Sequence, residues 1–261
     1  MRRINMNKSA EIKKDNKKAF PKFIIIILIC GLLGGCVGMF SGYLGSGQFK
    51  TLVSDFCKNF IISFSPYGFV FALLLFMLPA ALICRKCRSM LNSWDGEDED
   101  ISDKLERKIS IGMLLTNSCL IFNFLNLSLV FCYADFMDVF PLIFALITYF
   151  ISLGATIYSQ QKFVDLIKQM NPEKRGSVYD FKFQEKWLGS CDEAERPVIG
   201  EAAFYSFSFT TKASVIIWAV LFILHIIFDT GVMPMLTAVL IFGISQISYM
   251  YKELQLSKRK H

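Results

Sequence analysis

Six long, almost purely apolar segments dominate the pattern of hydrophobic and polar positions along the chain. A helix needs about 20 apolar residues to cross the hydrocarbon core of a bilayer. Because a backbone in lipid must satisfy its own hydrogen bonds, each segment predicts a membrane-spanning helix. The predicted fold class is therefore all-α, an integral membrane helical bundle with three antiparallel hairpins. The six predicted spans cover about 23–44, 67–84, 109–133, 139–158, 213–228 and 232–251.

The predicted membrane domain covers residues 23–251 and includes two polar cytoplasmic linkers, at 85–108 and 159–212. Basic cytoplasmic tails precede it at 1–22 and follow it at 252–261. These four segments hold 26 of the 28 Lys and Arg residues, and only Lys50 and Lys58 lie on other connections. Because cytoplasmic loops are enriched in Lys and Arg, both termini are predicted to be cytoplasmic.

The composition agrees with a membrane protein. Hydrophobic residues make up 54% of the chain and charged residues only 19%, below the quarter or so that is usual in soluble domains. The net charge of +6 is explained by orientation in the membrane and by attraction to anionic lipid. Lipid is accordingly one expected partner, and nucleic acid is not.

Small residues recur at every fourth position of the first predicted span, at Gly34, Gly38 and Gly42. That spacing gives a smooth face for close helix packing. An alternative interpretation is a lipoprotein signal in which Cys36 is lipidated, although the apolar segment continues past Cys36. After this span, residues 49–60 place their apolar side chains on one helical face, which predicts a short helix lying flat in the outer interface.

Polar side chains inside a span are costly, so their positions are informative. Thr116, Asn123 and Asn126 share one face of the third predicted span. We favour hydrogen bonding between helices as their role, with a lining for a substrate path as the alternative. On the fifth span, the four-residue spacing of His225 and Asp229 predicts that their side chains touch, as a structural pair or as a proton relay.

The second linker ends in the segment "KWLGSCDEAERPVIGEAAF", residues 186–204. Ser190, followed three residues later by Glu193, matches a capping box at a helix start. Asp192 and Glu195 would then lie in the first turn, where carboxylates are favoured.

The same segment has two candidate roles beyond capping. Trp187 is predicted to dock on the membrane surface or on the helix bundle. The acids Asp192, Glu193 and Glu195 are a candidate contact for a cytoplasmic protein partner, an ATPase or a regulator. Pro197 is predicted to bend or break the helix.

No cofactor or metal site and no catalytic motif is predicted. The sequence has no phosphate-binding glycine loop or metalloprotease helix, and the pair Cys84 and Cys87 has no second pair to complete a zinc site. The eight cysteines are interpreted as small apolar residues. We therefore expect that the protein is not an enzyme.

The segments "YDFKFQEKWLGSCDEAERPVIGEAAF" and "SWDGEDEDISDKLERKIS" resemble a family of Gram-positive bacterial membrane proteins called domain of unknown function 3169. The resemblance covers almost the whole chain. It implies a location in the bacterial plasma membrane, and it supplies no activity, substrate or catalytic residue.

Two functions follow as hypotheses. The first is a non-enzymatic membrane component that binds a cytoplasmic partner or protects against membrane-active peptides. The second is a permease or the membrane subunit of an ATP-driven exporter, with Asn123 and Asn126 near its path.

Overall fold

The structure, a computed structural model, describes residues 48–96 and 98–258, together with 20–21, 24–25, 28–29, 31–32 and 35. These residues form helices joined by short turns and one longer linker. In chain order they are α1 (Gln48–Ala72), a π-helical turn (Leu73–Met77), α2 (Leu78–Ser93), α3 (Glu99–Cys132), a 3-10 turn (Ala134–Phe136), α4 (Val139–Met170), α5 (Phe183–Gly189), α6 (Glu195–Phe228) and α7 (Met233–Lys258).

Among the described residues, five helices are long and apolar enough to cross a membrane. They are Thr51–Ser93, Glu99–Cys132, Val139–Met170, Glu195–Phe228 and Met233–Leu256. Each covers one of the last five predicted spans to within one residue at its ends, so the prediction of an all-helical chain with several helices able to cross a membrane is confirmed for these five. The residues described between 20 and 35 are helical, but Gly34, Gly38, Gly42 and Cys36 lie outside the described part of the chain.

The helices are longer than the apolar segments from which they were predicted. α3 begins at Glu99, α4 continues to Met170 and α6 begins at Glu195. Hydropathy identifies only the part of a helix that lipid would cover. The helix itself continues as long as its backbone hydrogen bonds form and one of its faces packs against the protein. The linker between α4 and α6, residues 171–194 (the α4–α6 linker), is correspondingly shorter than predicted.

The separate, flat helix predicted for residues 49–60 is wrong. Gln48–Ala72 is one continuous helix, and the chain stays helical through the π-helical turn to Ser93. Apolar residues on one face of 49–60 therefore continue the face of a longer helix. The helix is irregular just before Pro79, because the π-helical turn directly precedes the helix that carries this proline in its first turn.

Residues 54–201 form one compact unit, which contains α2, α3 and α4. One of its apolar cores contains Cys87, Leu105, Ile109 and Phe163. The Phe163 ring occupies the space that a Cβ of Gly112 would need, so α3 and α4 approach closely there. Outside these cores, many large apolar side chains of the helices are exposed, as expected of surfaces that face lipid.

Residues 202–258 belong to a second unit, in which α6 and α7 form an antiparallel hairpin. Gln246 Nε2 donates a hydrogen bond of 2.8 Å to Thr211 Oγ1. The rings of Phe207 and Tyr249 stack with their centroids 4.4 Å apart. Both pairs join positions far from the turn, so the two helices run alongside each other over most of their length.

Candidate functional site

Asn123, on α3, is fully buried, and its amide is paired with Ser152 of α4. Its Nδ2 donates to Ser152 Oγ at 2.9 Å, and Ser152 Oγ donates to its Oδ1 at 3.0 Å. Thr156 Oγ1, one turn further along α4, lies 3.4 Å from Cys119 Sγ. These contacts satisfy polar groups across two helices, which is the arrangement expected for interhelical packing.

Asn126 makes a separate contact with α1. Its Nδ2 donates to the backbone carbonyl oxygen of Ser65 at 2.9 Å, next to Pro66. The amide lies against Gly68, where a Cβ would collide with it. The side chain therefore fills a space that only glycine leaves open, and it connects α1 to α3.

The other predicted intramembrane residues are not part of this contact network. Thr116 is buried, and its hydroxyl donates to the Met113 carbonyl of its own helix at 2.9 Å. His225 and Asp229 are joined through the backbone, because the Asp229 N–H donates to the His225 carbonyl at 2.8 Å. In the part of the chain that the structure describes, His225 Nδ1 is buried without a hydrogen-bond partner. The backbone bond between these two residues closes the end of α6, and the side-chain pair stays a prediction.

The start of α6 has a capping box two residues later than predicted. Asp192 Oδ1 accepts hydrogen bonds from the N–H groups of Ala194 at 2.9 Å and Glu195 at 2.7 Å. Glu195 Oε2 in turn accepts from the Asp192 N–H at 3.2 Å, which completes the box. Ser190 has a different role, since its Oγ accepts from the Arg175 N–H at 3.0 Å.

Pro197 does not break α6. It is the third residue of the helix, where a missing N–H removes little intrahelical bonding. Glu193 is exposed, and no described contact involves its side chain. Of the predicted acids, therefore, Asp192 and Glu195 build the helix start and Glu193 remains at the surface.

Lys174 is the centre of a group of side chains that we call the Lys174 cluster: Lys174, Trp187, Cys191 and Glu195. Lys174 is only 8% exposed. Its Nζ forms an ion pair with Glu195, lies 3.4 Å from Cys191 Sγ and lies 5.7 Å from the centre of the Trp187 ring. A buried ammonium is costly unless it is paired, so these contacts account for its position.

Electrostatics favour a charged Lys174. Burial disfavours the ammonium, but hydrogen bonds to Glu195 and Cys191, with the negative charge of Glu195, outweigh that cost and raise the pKa of Lys174 above its ordinary value. Lys174 therefore carries a full positive charge at neutral pH, which the Glu195 carboxylate balances. Lys174 lies near the start of the α4–α6 linker, and Glu195 is the first residue after it. Their ion pair therefore holds the two ends of the linker together.

A second contact fixes the same linker to α4. Gln161 Oε1 accepts hydrogen bonds from the Val178 N–H at 2.8 Å and from Ser177 Oγ at 3.0 Å. Gly176, with φ +125°, provides the turn before these two residues. The linker is thus held by hydrogen bonds to α4 as well as by the ion pair between its own two ends.

A cavity of about 420 Å³, which we call the Trp187 cavity, lies where the linker meets α3, α4 and the start of α6. Its apolar walls include Ile109, Ile167 and Val198. Its charged groups are Glu106, Lys174 and Glu195. Glu195 neutralises Lys174, so the Glu106 carboxylate is left as the net negative charge of the cavity lining.

The structure brings together only part of what the sequence predicted. Trp187 lines the Trp187 cavity together with residues of α3 and α4, and the Phe183 ring lies tilted against it with the centroids 5.5 Å apart. Lys174 and Gln161 were not singled out from the sequence, and Cys191 was interpreted only as a small apolar residue. A possible signal was the position of Lys174 between Asn-Pro and Gly, within a linker that must turn back on itself.

The comparison with known families gives one result. The chain matches the family described as "Protein of unknown function (DUF3169)" over residues 17–253, so it belongs to that family. No curated protein and no solved structure matches it. The class defined by fold and family is therefore a helical protein with several helices long and apolar enough to cross a membrane, in a family whose function is not known.

Proposed function

We propose that this protein is a non-enzymatic component of a bacterial plasma membrane that binds a cytoplasmic protein through the α4–α6 linker. In this proposal the chain crosses the membrane six times, and both termini lie in the cytoplasm. The charge distribution supports that orientation, because 26 of the 28 Lys and Arg residues lie on the linker's side in the six-span arrangement.

The observation that carries the proposal is the Lys174 cluster. The Lys174 ammonium is only 8% exposed, and burying it requires compensating contacts. An ion pair, a thiol and an aromatic ring provide them here. Such a cluster holds a linker in one conformation, which lowers the entropy cost of binding a partner. A linker that only connected two spans would not need this degree of order.

Charge and shape indicate the chemistry of the partner. The Trp187 cavity has apolar walls, an indole ring and one uncompensated carboxylate, and the exposed Glu193 lies one residue from its lining residue Ala194. A basic side chain with an apolar stem fits these features, because its stem would cover the walls and its charge would meet the acids. We therefore propose a partner, a regulator or an ATPase, that presents Lys or Arg beside apolar residues.

The test is purification of the tagged protein from native membranes in mild detergent, with the co-purifying proteins quantified. We expect Glu193→Lys to reduce the recovery of the partner relative to the bait, since it places a like charge against a basic surface. The matched control is Glu201→Lys, a charge reversal at another exposed position, eight residues further along the chain and within α6. Equal recovery with both variants would contradict the proposal. If the partner serves protection, a strain carrying Glu193→Lys should also become sensitive to membrane-active peptides.

Transport is the second candidate, and one observation favours it. The π-helical turn Leu73–Met77 lies beside the buried polar side chains, since Cys119 Sγ approaches the Ala72 carbonyl at 3.9 Å and Thr156 Oγ1 approaches Met77 Sδ at 3.7 Å. Helical irregularities of this kind occur often at functional sites.

Asn123→Leu distinguishes transport from packing. The substitution leaves Ser152 without its partner, so a packing role predicts loss of thermal stability by about 1–2 kcal/mol. A transport role predicts a normal protein level and normal melting temperature with loss of substrate movement or of growth under the selective condition. Ser128→Leu, an exposed polar position on the same helix, is the control.

A further inference from the structure

A cavity between α2 and α4 carries positive charge only. Its volume is about 520 Å³, and we call it the arginine cavity. Its charged lining residues are Arg85, Arg88 and Lys162, and no carboxylate lines it. Arg85 and Arg88 are three residues apart on α2 and therefore share one helical face, while Lys162 approaches from α4.

These three cations lack a protein counter-charge. In the described part of the chain, the ion pairs are Lys174 with Glu195 and Lys186 with Asp180, and neither involves the arginine cavity. Cations that converge without a carboxylate repel one another, so the site is most stable when an anion is bound. Within the ranges that the structure describes, the contact made by the Lys162 ammonium is with an aromatic ring, that of Tyr158, whose centroid lies 5.0 Å away.

The rest of the lining shows what kind of anion fits. Met77, Ala81 and Ala155 provide an apolar wall, and Tyr158 and Ser159 provide hydroxyl groups near the cations. Two arginines present planar forks that match the oxygens of a phosphate. A ligand with a phosphate at one end and hydrocarbon at the other would satisfy both parts of the cavity.

The location points to the membrane as the source of that ligand. The lining residues belong to two helices that are long and apolar enough to be spans, Thr51–Ser93 and Val139–Met170. Leu78 and Leu82, on the same stretch of α2, are 53% and 56% exposed and would offer a surface to acyl chains. Basic pockets between spans on the cytoplasmic side are typical sites for anionic headgroups.

We propose that the arginine cavity binds the phosphate headgroup of an anionic phospholipid, with Arg85, Arg88 and Lys162 as its charge partners. The bound lipid would neutralise the cavity and bridge α2 and α4. This inference is independent of the proposed partner on the α4–α6 linker, because the two cavities share no lining residue.

The experiment compares the purified full chain in nanodiscs of phosphatidylcholine alone and of phosphatidylcholine mixed equally with phosphatidylglycerol. Thermal unfolding gives the stabilisation by the anionic lipid, and native mass spectrometry counts the lipid molecules retained. The variant is R85Q/R88Q/K162Q. Its control, K86Q/K104Q/R107Q, removes the same charge at exposed positions of α2 and α3 that do not line the cavity.

We expect phosphatidylglycerol to raise the melting temperature of the wild type and of the control, and to leave the cavity variant unchanged. Each basic group near an anionic surface changes affinity about fivefold, so the triple variant should lose roughly 100-fold in affinity for the lipid. Equal stabilisation of both triple variants would overturn the proposal.

Soluble glycerol phosphate or inorganic phosphate, added to phosphatidylcholine nanodiscs, should give little stabilisation. If either equals the lipid, the ligand is a soluble phosphate compound and the lipid assignment is wrong.

Discussion

At the scale of single residues, Lys174 organises the region that the sequence motif marks. Its charge is buried, but the Glu195 carboxylate, the Cys191 thiol and the Trp187 ring surround it. The partner Glu195 keeps 38% of its side chain exposed, so solvent moderates the strength of the ion pair. Lys174 therefore stabilises the fold both by fixing the conformation of the linker and by the energy of one ion pair.

The substitution Lys174→Met tests this role. It keeps the apolar stem but removes the charge, and because the half-exposed Glu195 can recover water, we expect a loss of about 1–2 kcal/mol in the free energy of unfolding. Thermal or denaturant unfolding in detergent measures it. The control is Lys186→Met, which breaks the exposed pair with Asp180 and should have a smaller effect. Similar losses in the two variants would show that burial of Lys174 contributes nothing.

The pH dependence has a defined sign. Folding raises the pKa of Lys174, so its stabilising contribution is complete below its ordinary pKa of 10.5 and is lost as the pH rises through the higher folded-state value. The difference in stability between the wild type and Lys174→Met should thus be constant through neutral pH and shrink only above about pH 10.5. A difference that shrinks on acidification towards neutral pH would contradict the assignment.

Lys174 shows why the sequence predicted the apolar helices better than it predicted the Lys174 cluster. Lysine is rarely buried, so a sequence pattern gives no reason to place it inside. The contacts that bury it join residues up to 21 positions apart, and they form only when the linker closes. Asn123 and Asn126 were identifiable, by contrast, because a polar residue inside an apolar segment is conspicuous without any knowledge of its partners.

At the scale of elements, α3 and α6 begin in the same way. In each case an aromatic residue precedes an aspartate that caps the helix. Trp94 Nε1 donates to the Asp98 carbonyl at 3.0 Å, and Asp98 Oδ1 accepts from the Ile101 N–H at 3.2 Å. Trp187 and Asp192 have the corresponding positions before α6, although their individual contacts differ. The order of a Trp followed by acids, which both linkers have, thus corresponds to two capped helix starts.

Asp192→Ala tests the cap of α6. It removes the acceptor of two backbone N–H groups, so we expect a loss of about 1–2 kcal/mol in stability. Asp192→Asn keeps an N-cap acceptor and should retain most of the stability. Glu193→Ala, beside it, should be close to neutral. If Glu193→Ala proved as destabilising as Asp192→Ala, the capping box predicted at Ser190 and Glu193 would be correct and the observed one wrong.

The boundaries of the elements were the least predictable part. Hydropathy located the five described spans, but it could not show that α6 begins 18 residues before its apolar segment at Ala213, because that extension is polar enough to resemble a loop. Ser190 was mistaken for the cap because it fits the same pattern as Asp192. Only the structure shows that Ser190 instead accepts from Arg175.

At the scale of the whole molecule, the account requires that the α4–α6 linker and the turn between α3 and α4 lie on opposite sides of the membrane. The turn contains Asp135, and the linker contains Glu193, both of which are exposed. In the proposed orientation the linker lies inside and the turn outside, because the Lys and Arg residues are concentrated on the linker's side. The partner proposal depends on this arrangement, because a linker on the outer face could not meet a cytoplasmic protein.

Labelling of single cysteines in intact cells tests that requirement most directly. The substitutions Glu193→Cys and Asp135→Cys would each be made in a chain whose native cysteines are replaced by serine or alanine, and treated with a membrane-impermeant thiol reagent before and after the membranes are opened. The account predicts labelling of Asp135→Cys in intact cells, and labelling of Glu193→Cys only after opening. Labelling of Glu193→Cys in intact cells would place the linker outside and contradict the proposed function.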